Sequence, residues 1–281
     1  MTIKWLEHIH LHPSIWLTIV VSLLTGMFVE VSIIFIIVIW HEAGHLIAAR
    51  LFNWKIVRVT IWLFGGVMET EEHGHKPMIE QLIVTVAGPI QHAFIYLLLL
   101  WIHYIGLLPT DLILFALRYN FAILAFNLIP AWPLDGGKLL HIGLSECLPF
   151  KKAYDYTLIL SMLILFGLLI GQLYYQYNLL NAIIVITFLI WENRLEWKQR
   201  FYVFQRFLLK RMEQNQDNQK LLPLSFPSQT SMIEVFSRFY AGCFHPILIE
   251  DQHVLTNEQT CLNYYFQTGY YHAKLADLIK Q

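Results

Sequence analysis

Long apolar stretches dominate the first two thirds of the chain, and polar residues gather between them. Six such stretches can be drawn, over residues 14–29, 31–52, 78–105, 112–132, 156–173 and 177–191. A bilayer core about 30 Å thick needs about 20 mostly apolar helical residues to cross it. The pattern therefore predicts six membrane-spanning helices, the last one short and anchored at the interfaces by Tyr174, Tyr175 and Trp191. Between the second and third stretches, the β-branched run at 57–63 and the following Gly65-Gly66-Val67-Met68 predict a strand or hairpin dipping into the membrane. Such an edge can take up an unwound peptide as an added strand; a loop covering a cavity is the competing reading.

The pattern changes after Trp191. Residues 196–220 are rich in Arg, Lys, Glu and Gln and read as a helical juxtamembrane linker, and 221–281 read as a small α+β domain. In that tail a helical spacing at 231–240 precedes a short strand at 246–249, a turn at 250–252, a second strand around Val254, and amphipathic pieces at 260–266 and 273–279. The organisation expected is a transmembrane domain over 1–195, a linker, and a tail domain. The first apolar run carries no small-residue cleavage pattern and reads as a retained helix, not a signal peptide.

Composition agrees with a membrane protein: 57% of the 281 residues are hydrophobic and 14% charged, against about 45–50% and about 25% in soluble domains. A formal net charge of -1 gives no basic field, so nucleic acid is not expected as a partner. The 3 cysteines are too few and too scattered for a disulfide framework. Basic residues cluster in alternate connections, at Lys4, at Arg50 to Lys76, at Lys138 to Lys152 and from Arg194 onward, and the intervening turns carry none; the exception is Arg118, inside the fourth stretch. By the positive-inside bias this places both termini in the cytosol.

Ionisable groups inside an apolar helix are costly and mark function. His41, Glu42 and His45 fall within five residues of the second run. Four apart on a helix, the two histidines share a face, and this spacing suits two imidazoles on one Zn²⁺ with Glu42 as the base of a hydrolytic reaction. Gly44 leaves room for a neighbouring backbone. A hydrolytic zinc needs a third protein ligand, and Asp135 is the candidate. It follows Pro130 and Pro133, which cannot continue a regular helix, and precedes Gly136-Gly137, which permits a sharp turn. A plain structural turn is the alternative there. Among other histidines, His73 and His75 read as solvated loop residues, and His92, His103 and His141 as hydrogen-bonded within the bundle or facing water. A polytopic metal transporter using the histidine pair is the competing function. It predicts a repeat between the halves, and His41–His45 has no counterpart in the second half.

These motifs, His41 to His45 in a spanning helix and Asn127 with Pro133-Leu134-Asp135-Gly136-Gly137, resemble the site-2 protease family of intramembrane zinc metalloproteases. The resemblance implies His41, His45 and Asp135 as zinc ligands and Glu42 as catalytic base. It implies a catalytic role for Asn127 in holding substrate or its oxyanion, and substrate contacts at Gly65, Gly66, Val67 and Pro133. The six spans and tail are most similar to the sporulation branch of the family. That implies a membrane-associated, pro-sigma-K-like precursor as substrate, membrane inhibitor proteins as partners, and a place in the mother-cell membrane around the forespore. The tail resembles a single cystathionine-β-synthase (CBS) module. Such a module pairs with a second copy, which implies oligomerisation, and often binds adenine nucleotides, which implies ATP beside Zn²⁺.

Overall fold

The computed structural model describes residues 9–11, 13–62, 65–70, 76–175, 179–213, 220–269 and 273–279. They form two compact units. The first comprises 1–129 with 134–136, and the second 130–133 with 137–281.

The first unit opens with strand β1 (Ile9–Leu11) and helices α1 (Pro13–Thr25) and α2 (Phe28–Leu51). Gly26 lies at φ +73, a left-handed conformation that suits glycine and ends α1 there. The first apolar run is therefore cut short of residue 29, and the second helix begins three residues before residue 31. At 13 residues α1 spans about 20 Å, while the 24 residues of α2 span about 36 Å. Strands β2 (Ile56–Trp62) and β3 (Gly65–Thr70) form the antiparallel hairpin expected from the β-branched run, and β1 joins β2 in parallel. The sheet order is β1-β2-β3, so β3 is an edge among the described strands, and it runs alongside α2.

Helix α3 (Met78–Tyr104) packs along α2 and also against α4 (Thr110–Asn127). Helix α4 runs unbroken through Arg118 and stops before Pro130, whose ring and missing N–H cannot extend it. Among the described residues three helices are long and apolar enough to cross a membrane: Phe28–Leu51, Met78–Tyr104 and Phe150–Tyr174. The distribution of side chains fits a bilayer solvent. Leu51, Leu97 and Phe121 are exposed, while His41, His45, His92, Asn120 and Asp135 are buried.

In the second unit, α5 (Asp135–Cys147, beginning in the first unit) leads into α6 (Phe150–Tyr175) and the 35-residue α7 (Leu179–Glu213). The stretch read as a linker from residue 196 is the continuation of α7 as far as Glu213. Its Phe204, Phe207 and Leu208 are buried with Phe150 in the core of the tail. The tail itself contains β4 (Lys220–Leu221), β5 (Leu224–Phe226), α8 (Met232–Phe236), β6 (Cys243–Phe244), β7 (Ile247–Ile249), β8 (Val254–Thr256), α9 (Glu258–Thr268) and α10 (Leu275–Ile279). Strand β4 pairs with β6; β7 lies between parallel β5 and antiparallel β8. Met232, Phe236, Phe239, Ile249, Leu262 and Tyr265 complete the core.

Candidate metal centre

Helical spacing sets the first half of the site. His41 and His45 lie one turn apart on α2, and both rings are buried, with centroids 4.8 Å apart and nearly perpendicular. Asp135, the first residue of α5, completes a triangle. His45 Nε2 lies 3.1 Å from His41 Nε2 and 3.0 Å from Asp135 Oδ2, and His41 Nε2 lies 3.1 Å from the same oxygen. Tetrahedral zinc with nitrogen and oxygen ligands near 2.0–2.1 Å holds them about 3.3 Å apart, so the triangle has the right size.

Its proton bookkeeping fits a cation too. His45 Nδ1 stands 2.8 Å from the Val84 carbonyl, which can only accept, so Nδ1 carries the proton of the neutral ring. The His45 Nε2 lone pair then faces a carboxylate oxygen at 3.0 Å, a contact between two acceptors that a bound cation makes favourable. Among the described residues His41, His45 and Asp135 are the cluster of His, Cys, Asp or Glu side chains whose donor atoms converge in this way. A divalent ion fits the site on donor type, number and spacing.

The surrounding glycines are there for close approach. A Cβ on Gly44 would lie 2.6 Å from the Ala87 carbonyl oxygen, so α2 and α3 meet backbone to backbone at this point, as the sequence suggested. On Gly136 it would lie 2.3 Å from the Ile129 carbonyl oxygen, so the turn that delivers Asp135 has no room for a side chain after it. On Gly88 it would lie 2.2 Å from His45 Nε2 and 2.8 Å from His41 Cε1. Gly88→Ala is therefore expected to push both rings off the triangle at a cost of about 1–3 kcal/mol. Weaker zinc binding with unchanged helix content, by chelator competition and circular dichroism, checks it.

Other expected residues fall as follows. Glu42 is half-buried on α2 beside His41. Asn127 ends α4, and its side-chain amide donates to Ile123 O at 3.1 Å, a bond back into its own helix. Pro133 is half-buried in the turn before Asp135, after a cis Trp132–Pro133 peptide. Gly65, Gly66 and Val67 open β3 and pair with Trp62, Ile61 and Thr60. His73 and His75 lie outside the described residues. His141 is packed edge-on against Phe150 and Tyr154, and burial pushes its pKa down to about 4, which keeps it neutral.

Two residues not assigned to the site from sequence belong beside it. His92 Nε2 lies 3.1 Å from His41 Nδ1, and His92 Nδ1 lies 2.7 Å from Asn120 Oδ1. A signal existed for both. Gln81, Val84, Thr85, Gly88 and His92 form a small and polar stripe at helical spacing on α3, and Asn120 is an amide in the middle of an apolar run.

Residues 29–109, which include the histidine pair, match Peptidase family M50. The chain is 38% identical over 253 residues to stage IV sporulation protein FB of Bacillus subtilis, covering 88% of this chain and 87% of that protein. It is 31% identical over 148 residues to a zinc metalloprotease of Methanocaldococcus jannaschii, covering 49% of this chain and 42% of the other. The structure of a site-2 protease from the same archaeon shares the fold, with a TM-score of 0.54 over 67% of this chain and 89% of that one at 24% identity. The transporter alternative gains nothing from these relatives. Likeness that runs along almost all of both chains reaches beyond a shared motif, and the chain belongs to peptidase family M50, as an integral membrane zinc metalloprotease of the site-2 protease type.

Proposed function

We propose that this protease hydrolyses a peptide bond in a membrane-associated regulatory precursor of the pro-sigma-K kind, at the cytosolic side of the bilayer, during sporulation. The observation that carries the chemistry is the buried triangle of His41 Nε2, His45 Nε2 and Asp135 Oδ2, with edges of 3.0–3.1 Å. The sporulation setting is supported by the 38% identity to a stage IV sporulation protein.

In this reading His41, His45 and Asp135 hold zinc. Bound there, zinc supplies Lewis-acid polarisation and acidifies water toward neutral pH. Glu42, next to His41 on α2, takes a proton from the attacking water and returns it to the leaving amine. Asn127, where α4 gives way to the proline turn, holds the substrate carbonyl. The substrate strand unwinds and adds to the edge that β3 presents among the described strands, where Gly65, Gly66 and Val67 offer backbone without bulky side chains at the first two positions; Pro133 is a further substrate contact. Burial of the triangle keeps the ligands from bulk water and strengthens their field on the scissile carbonyl.

Both termini lie in the cytosol on the lysine and arginine bias, and the tail is a regulatory module that pairs with a second copy and responds to adenine nucleotide. The helix between strands and the succession of β5, α8, β6, β7, β8 and α9 support a CBS-like half. Membrane inhibitor proteins hold the enzyme silent in the mother-cell membrane until release.

Co-expression with candidate tethered precursors tests this. A shortened product is expected with the wild-type chain and none with Asp135→Asn, whose amide is a poor zinc ligand. Equal product from both removes the zinc reading. No product from a pro-sigma-K-like precursor, together with cleavage of another tethered protein, removes the substrate assignment alone.

A further inference from the structure

The hydrogen bonds around His41 continue past the triangle into α3 and α4. We propose that His92 and Asn120 are positioning residues that fix the tautomer of His41 and so present its Nε2 to the metal; this rests on the zinc reading above.

The argument begins at the far end. Asn120 Nδ2 donates to the backbone carbonyl of His92 at 3.0 Å, and a carbonyl can only accept. That bond orients the amide with Oδ1 towards the His92 ring, 2.7 Å from Nδ1. An amide oxygen also only accepts, so the His92 proton sits on Nδ1. In a neutral imidazole the other nitrogen is then bare, and His92 Nε2 accepts from His41 Nδ1–H at 3.1 Å. The proton of His41 is thereby held on the side facing away from the triangle, and the Nε2 lone pair faces Asp135 Oδ2 and His45 Nε2. His45 reaches the same state in one step through the Val84 carbonyl. His41 needs two steps, because the group opposite its Nδ1 is another imidazole that could either give or accept.

Burial makes the relay binding. His92 is 1% exposed and Asn120 4%, so no bulk water competes for these protons. Without Asn120 the His92 proton can move to Nε2. It would then donate to His41 Nδ1 and drive the His41 proton into the triangle, where metal must displace it. The relay also accounts for a buried amide in the middle of α4, which costs free energy in an apolar bundle unless it is satisfied.

The test is zinc affinity by chelator competition on the full chain purified in micelles, with His45→Ala as the control for the site. His92→Leu is expected to weaken zinc about 10–100-fold, the usual effect of losing a group that orients a ligand. Asn120→Leu should weaken it on the order of tenfold. His92→Gln keeps an amide oxygen able to accept from His41 Nδ1 without help from Asn120. It should stay within about threefold of wild type, and adding Asn120→Leu to it should cost no more than that. Helical circular dichroism and a single elution peak accompany each measurement. The proposal is overturned if His92→Leu and Asn120→Leu bind zinc as wild type does while His45→Ala has lost it. It is equally overturned if His92→Gln fails as badly as His92→Leu, since the role would then be packing. A wild-type chain that takes up no zinc at all instead removes the zinc reading on which both rest.

Discussion

Glu42→Gln is expected to lower the rate of precursor cleavage by about 10²–10⁴-fold, the range that a positioned proton-transfer group contributes, and to leave zinc content unchanged. The two readouts separate because Glu42 is not one of the three converging atoms; those belong to His41, His45 and Asp135. Gln keeps the length and hydrogen-bonding capacity of the side chain and removes its ability to take a proton. His45→Ala, by contrast, removes an apex of the triangle and should lose zinc and cleavage together. Cleavage measured on a co-expressed tethered precursor and metal content of the purified chain decide the matter. A Glu42→Gln chain that cuts at the wild-type rate would remove Glu42 from the chemistry, whatever the metal does.

The histidine pair was legible because a helix has one period. Two residues four apart must share a face, and an apolar run that carries them leaves few other uses for the charge. Asp135 was legible for a different reason, since prolines and paired glycines break the helix at a predictable place and leave the carboxylate at the start of the next element. His92 was legible as a hydrogen-bonded histidine of the bundle, but its place beside His41, like the close approach at Gly88, depends on what the polar stripe of α3 meets on α2, and a stripe names no partner. Asn120 and Arg118 both stand out in the sequence as polar side chains inside the fourth apolar stretch. The structure separates the two: Arg118 is exposed, Asn120 is buried against His92, and α4 passes through both. The boundary at Gly26 was also missed, because hydrophobicity does not register a left-handed residue. The course of α7 shows the same limit. A change from apolar to charged composition after Trp191 reads as an exit into a linker, yet Phe204, Phe207, Leu208 and Arg211 keep the i, i+3, i+4, i+7 spacing of one buried helical face.

That face ends in the largest stability effect expected in the tail. Arg211, near the end of α7, is buried and bonds Glu258 of α9 through Nε at 2.5 Å and through a terminal nitrogen at 3.0 Å. It also donates to the carbonyls of Tyr240 and Cys243. Glu258 in turn accepts from the backbone N–H of His245 at 2.6 Å and from the His245 ring, which stacks on Phe239. Glu258 also sits in the first turn of α9, where the helix dipole favours a negative charge. Removing the carboxylate leaves a guanidinium buried without its counter-charge, which costs about 3–5 kcal/mol, a large share of the 5–15 kcal/mol that holds an ordinary domain together. Glu258→Ala is therefore expected to loosen the tail while the three ligands of the metal centre keep their zinc. Cys261 reports on it directly, being fully buried with its thiol pushed up to about 12 by that burial. In a chain whose Cys147 and Cys243 are replaced by serine, Cys261 should label about 10²-fold or more faster in Glu258→Ala than in its parent. Replacing Arg211, Glu258 and His245 together by Met, Leu and Phe should recover most of the protection, because a packed apolar cluster avoids the desolvation that the ion pair must offset. Labelling at the parent rate in Glu258→Ala would mean that the network is a bystander and that the aromatic core around Phe207 and Phe239 holds the tail by itself.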